Sequence, residues 1–168
     1  MRLLFWLMFF VMLGVYLAMV VWSIPKIAAD AGGLPPFDLR PSGYSFSEAK
    51  AFIAALSEGG RAFYLNVQHM LDSAYPALFA VVMVMAFTHL FRRVYRVLAI
   101  GLALAGAGFD YLENAAVAVM LRAGDDRLSE AMVATASQWT QLKSGAVTMA
   151  LLALLAGLVM AWIVRRRA

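Results

Sequence analysis

The stretch VLAIGLALAGAGFDYLENAAVAVML, Val97 to Leu121, decides how the chain folds. As a helix rising about 1.5 Å per residue it is long enough to cross a hydrocarbon core about 30 Å thick. Its acidic and amide side chains are confined to Asp110, Glu113 and Asn114, which stand at i, i+3 and i+4 on one face. Ala103, Gly106 and Val117 continue that face, so it is small below and polar above. The segment reads as a membrane-spanning helix that carries two acids into the bilayer.

Three further windows, Leu3–Ile24, Leu71–Leu90 and Ala146–Val164, have the length and apolarity of a span. A chain of 168 residues that is 64% hydrophobic, with a mean hydropathy of +0.79, has lipid as its solvent. The expected fold is all-α: one domain over 1–168, a four-transmembrane-helix bundle with a short amphipathic outer helix between the first two spans. The spans cover about 3–24, 64–90, 97–121 and 141–164, with an outer loop and helix over 25–60 and an outer loop over 122–140. With no cysteine, disulfides and thiolate metal sites are excluded. Ala29-Asp30-Ala31 has the form of a signal cleavage site. However, the apolar run before it exceeds the roughly 7–15 residues of a signal core, and Lys26 lies close by, so the first helix is expected to remain.

Charge orients the spans. Arg2, Arg92, Arg93, Arg96, Arg165, Arg166 and Arg167 occupy the two termini and the link between spans two and three, with no acid among them. Bases in excess mark the cytoplasmic side. In Pro25–Arg61 the bases Lys26, Arg40, Lys50 and Arg61 balance Asp30, Asp38, Glu48 and Glu58, and Arg122–Lys143 is balanced too. Both termini are therefore expected on the cytoplasmic side of the membrane. The net charge of +4 is a topology signal, and no nucleic acid is expected as a partner.

In the outer segments, Gly32-Gly33-Leu34-Pro35-Pro36 ends the first helix. Ser45-Phe46-Ser47-Glu48 has the capping-box form and predicts a helix start. Ala49, Phe52, Ile53 and Leu56 form the apolar face of that helix, which rests on the interface or caps the bundle, and Gly59-Gly60 is expected to end it. Asp125-Asp126 is expected to cap the helix that leads into the fourth span.

Asp72, Asp110 and Glu113 belong to no loop. Counted from the cytoplasmic ends Leu90 and Arg96, they lie roughly 27, 21 and 25 Å up, all in the outer half. A charge at mid-bilayer costs at least about 2.5–3.5 kcal/mol, so such groups face the interior, find partners or carry function. Arg61, Tyr64, Gln68, Asp72 and Tyr75 form a polar-aromatic stripe on span two. On span four the expected stripe is Ser137, Gln141, Ser144 and Thr148, with Thr140 beside it and Lys143 about a third of a turn away. Pro76 lacks an amide proton, kinks its helix and leaves the Asp72 carbonyl free to join the cluster, or simply shapes packing. Arg61, Lys143 and Arg40 are the expected counter-charges, in a carboxylate–guanidinium–ammonium network. A carboxyl left without one would stay neutral and could donate a proton.

Other chemistries are reduced by number and spacing. His69 and His89 are about 30 Å apart along one helix and cannot sandwich a haem. No metal and no cofactor is expected. Gly106-Ala107-Gly108 lies inside a span and is no phosphate loop. Gly14/Ala18 and Gly157/Ala161 fit close helix packing, within the chain or in a homo-oligomer.

Asp38-Leu39-Arg40, Gly43-Tyr44, Gly60-Arg61 with Tyr64, Asp72 with Tyr75-Pro76, Asp110 with Glu113-Asn114, and Thr140 with Lys143 together resemble a family of small four-helix bacterial membrane proteins whose function is not assigned. The resemblance covers residues 38 to 143, implies four spans and singles out these polar positions. At the level of fold alone, four spans with embedded acids are similar to the EXPERA group of sterol isomerases and ligand-binding proteins.

Three functions are expected from these residues. The first is a pocket for a small amphipathic or lipid-like molecule. Arg61 and Lys143 would meet its head, Asp72, Asp110, Glu113, Gln68, Asn114 and Thr140 would fix it by hydrogen bonds, and Tyr64 and Tyr75 would pack on its body. The second is an acid–base enzyme on an isoprenoid or sterol-like substrate, with Asp72, Asp110 or Glu113 as the catalytic carboxyl. The third is a structural or assembly subunit of a larger membrane complex. Membrane lipid is a partner in all three.

Overall fold

The computed structural model describes residues 2–167, and every regular element among them is helical. α1 (Arg2–Asp30), α3 (Glu58–Leu90), α4 (Arg93–Ala123) and α5 (Glu130–Arg167) are each long and apolar enough to cross a membrane. α2 (Phe46–Ala55) is the short helix between α1 and α3. α3 packs on α1, α4 and α5, and α4 packs most closely on α5, where Gly106 lets Val147 approach to within 3.1 Å of where a Cβ would stand.

The long helices differ in how far they leave the apolar windows. α1 runs on through Pro25, which directly follows the widened turn Met19–Ser23 and, lacking an amide proton, leaves one carbonyl of that turn without its helical bond. α3 starts at Glu58 because Ser57 caps it, accepting from the Gly60 amide at 3.0 Å. Gly59-Gly60 therefore opens a helix and does not end one. Gly60 is needed because the Asp30 carboxylate lies where its Cβ would be, tied to the Ser57 amide and hydroxyl at 2.9 and 2.7 Å. α5 begins at Glu130, inside the expected loop, capped by Ser129 through the Met132 amide. Asp125-Asp126 lies in the preceding turn and caps nothing.

α2 meets expectation: Ser45 and Glu48 form both bonds of the capping box. Its Ala49, Phe52 and Ile53 are buried with Phe37, Tyr44, Tyr64, Val117, Leu121 and Val133, so it lies over the ends of α3, α4 and α5 that hold Tyr64, Leu121 and Val133. A second apolar cluster, Phe79, Met83, Phe87, Ala99, Ala103 and Ala150, fills the other half. The polar residues lie between the two. Gly157 is an internal contact against Phe91 and Leu90, whereas a Cβ on Gly14 would meet nothing within 4 Å.

Candidate functional site

The site begins at two widened turns. α1 opens into a π turn over Met19–Ser23 and α3 into another over Tyr64–Gln68, each adding a residue to its turn and redirecting the side chains it carries. The two turns touch, and Ser23 Oγ donates to Gln68 Oε1 at 2.5 Å. That bond fixes the buried amide, whose Nε2 reaches Asp38 Oδ1 at 3.1 Å and Asp72 Oδ2 at 3.3 Å. One amide thus lies against two carboxyl groups. Tyr64 donates its hydroxyl to the other Asp38 oxygen.

Pro76 does what its chemistry requires. The Asp72 carbonyl it leaves unserved accepts from Asn114 Nδ2 at 3.0 Å, and the neighbouring Ser73 carbonyl accepts from the Tyr111 hydroxyl at 2.9 Å. The kink is stitched to α4. One turn toward α5, Thr140 Oγ1 donates to Glu113 Oε1 at 2.5 Å, and Lys143 pairs with Glu113 Oε2 and lies 3.4 Å from Asp110 Oδ1. Asp72, Asp110, Glu113, Asn114 and Gln68 are all buried.

The segment between α1 and α2 covers the site. The turn Phe37–Leu39 lowers Asp38 onto Tyr64 and Gln68, and the Tyr44 amide donates to Ser137 Oγ at 2.9 Å. Gly43 makes this approach possible: its φ is +85°, and a Cβ there would fall 2.4 Å from Gln141 Nε2. Burial pushes the Tyr44 phenol above its ordinary pKa. Burial also acts to raise Asp38, but hydrogen bonds from Asp72 and Tyr64 and the charge of Lys143 outweigh it and hold that carboxyl below its usual range. Between Asp38, Tyr64, His69, Asp72, Glu113 and Asn114 lies a cavity of about 10 Å³, room for one water.

Eight of the expected residues are therefore together: Tyr64, Gln68, Asp72, Asp110, Glu113, Asn114, Thr140 and Lys143. Two are elsewhere. Tyr75 turns toward the lower cluster, its ring 5.9 Å from Tyr16 and 6.1 Å from Phe79. Arg61 lies against Gly124, with one long contact of 3.5 Å to the Ile53 carbonyl, and Arg40 folds back onto the Pro35 carbonyl and Glu48. The expected guanidinium is absent from the network, and Lys143 is the base that pairs with its acids among the described residues. The inward face of α5 is Val133, Ala136, Ser137, Thr140 and Ala150, with Lys143 half-buried, while Gln141 and Thr148 are exposed. The expected stripe was rotated because it was anchored on the small polar residues rather than on the alanines that let α4 approach.

Ser23, Asp38 and Tyr44 escaped the residue-level reading. Ser23 is a lone hydroxyl in an apolar run. Asp38 reads as one of four acids balanced by bases in a loop, although the family resemblance includes Asp38 and Tyr44. Among the described residues no cluster of His and acids has the arrangement of a metal site. No family model, no curated protein and no solved structure matches the chain.

Proposed function

We propose that the chain is a multi-pass protein of the bacterial cytoplasmic membrane, a four-helix bundle with both termini in the cytoplasm. We propose further that its outer half holds a proton-exchanging site for the polar head of a small amphipathic molecule. The observation that carries this is the imbalance of the site: of its four acids, Asp110 and Glu113 meet the one ammonium, that of Lys143, while Asp38 and Asp72 share the neutral Gln68 amide. Polar residues that serve only to pack helices do so as matched or neutral pairs, which avoid the penalty of burying like charges. Carboxyls in excess hold protons instead, because two of them sharing an amide cannot both ionise cheaply.

The same imbalance selects the head group. Lys143 is already taken by two carboxylates and Arg61 points away, so an anionic head has no free base to meet. A hydroxyl or amine head, able to donate to Asp38, Asp72 or Glu113, fits better. Entry requires the 31–45 segment to lift, since the closed cavity admits only a water. An acid–base enzyme is the second reading, favoured by Asp38 and Asp72 facing one another across Gln68 beside that cavity.

Native mass spectrometry of the protein with long-chain amines, alcohols and alkyl sulfates tests this. Amine or alcohol should be retained over sulfate, and Asp110→Asn with Glu113→Gln should abolish the preference while helicity persists. Equal retention of all three amphiphiles, or a preference that survives both substitutions, would overturn the reading.

A further inference from the structure

At the opposite end of the molecule, α1 and α5 diverge over α3 and leave a groove of about 470 Å³, a volume typical of ligand sites. Trp6 and Phe9 form one wall, Leu154 and Leu158 the other, and Met83 lies in the floor. This lining is apolar along its length and changes character only at the rim, where Arg2 and His89 stand. His89 Nδ1 donates to the Met85 carbonyl at 2.9 Å, so Nε2 can donate to an anion only as the second N–H of an imidazolium. Arg92, Arg93 and Arg96 follow His89 closely in the chain, Arg165 and Arg166 end the helix that supplies Leu154 and Leu158, and the sequence has no acid before Asp30, between Asp72 and Asp110, or after Glu130.

We infer that this groove is a binding site for an anionic phospholipid of the adjoining leaflet, its acyl chain between α1 and α5 and its phosphate at Arg2 and His89. An apolar slot with bases at one end matches a chain with a negative head, and the field of the surrounding arginines excludes a cationic one. α1 packs chiefly on α3 and makes little contact with α5, which leaves the slot between α1 and α5 open. The inference rests on the helices crossing a bilayer and is independent of the outer-half site.

The test uses the full chain with Trp22, Trp139 and Trp162 replaced by Phe, leaving Trp6, in bilayers containing brominated phosphatidylglycerol or brominated phosphatidylcholine. Phosphatidylglycerol should quench Trp6 at lower mole fraction than phosphatidylcholine. Arg2→Gln should reduce its relative affinity about fivefold, the worth of one base near a charged lipid surface. Leu154→Trp, in a variant reporting through a nitroxide at position 6, should block access of both lipids. Equal quenching by the two lipids, or a preference untouched by Arg2→Gln and His89→Gln, would overturn the assignment. So would a second copy of the chain that cross-links through position 6 and excludes both.

Discussion

The bond from Asn114 to the Asp72 carbonyl exists because Pro76 supplies no amide, and this makes it separable from the other contacts of the site. Asn114→Ala leaves a buried carbonyl unserved and should destabilise the protein by about 1–3 kcal/mol. In a Pro76→Ala background the restored amide serves that carbonyl, so the same substitution should lose most of its effect. Unfolding in a bilayer-mimetic detergent measures the cycle, and an equal loss in both backgrounds would contradict the assignment. Lys143 gives a second test. Lys143→Met strands Asp110 and Glu113 and should cost about 3–5 kcal/mol, while adding Asp110→Asn and Glu113→Gln should recover most of it. A loss that persists in the triple variant would mean that the lysine acts by packing. At this scale the sequence was readable where chemistry is unavoidable: acids in lipid and a proline in a helix declared themselves. Ser23 and Asp38 did not, because a hydroxyl in an apolar run and a loop acid are ordinary until π turns and a 3-10 turn bring them to Gln68.

Among the elements, the segment 31–45 determines access, held down by Gly43 against α5 and by Asp38 against Tyr64 and Gln68. Gly43→Ala adds both a left-handed strain of about 1–2 kcal/mol and a Cβ where Gln141 stands. Amide exchange should then speed up in residues 31–45 while the amides of α4 stay protected; unchanged exchange would mean that the segment is not held there. Acid should loosen the same segment. Glu48, hydrogen-bonded by the Ser45 hydroxyl and amide, is held below the usual carboxylate range, as is Asp38. A depressed native pKa gives stability that is complete above the unfolded value, about 4, and is lost as pH falls through the lower native value. Exchange in 31–55 should therefore accelerate below about pH 4 before the long helices respond. The capping box was legible from Ser45 and Glu48 alone because it is a local device. The start of α3 at Glu58 rests on an equally local cap, Ser57 accepting from the Gly60 amide, but Gly59-Gly60 reads as a helix end; Asp30 reaches Ser57 across 27 positions of sequence and adds to it.

For the whole molecule, four helices of sufficient length and apolarity follow directly from composition, and the division into an apolar half and a half that holds the buried acids follows from where those acids fall. The rotation of α5 does not, because Thr140 and Lys143 point inward for reasons that lie on α4. With no native cysteine, single cysteines report orientation cleanly. Cysteines at Ser42 and Asp126 should react with an impermeant maleimide on intact spheroplasts, and those at Arg93 and Arg165 only after permeabilisation; the reverse pattern would invert the topology. The central claim is that the outer-half cluster holds a proton because its acids outnumber its base. The most direct measurement is infrared difference spectroscopy of the carboxyl stretch of the protein in bilayers, titrated through neutral pH. The account predicts a protonated-carboxyl band at neutral pH that Asp72→Asn together with Asp38→Asn removes while helicity is retained. A spectrum with every carboxyl ionised at neutral pH, or a band indifferent to those substitutions, would contradict it.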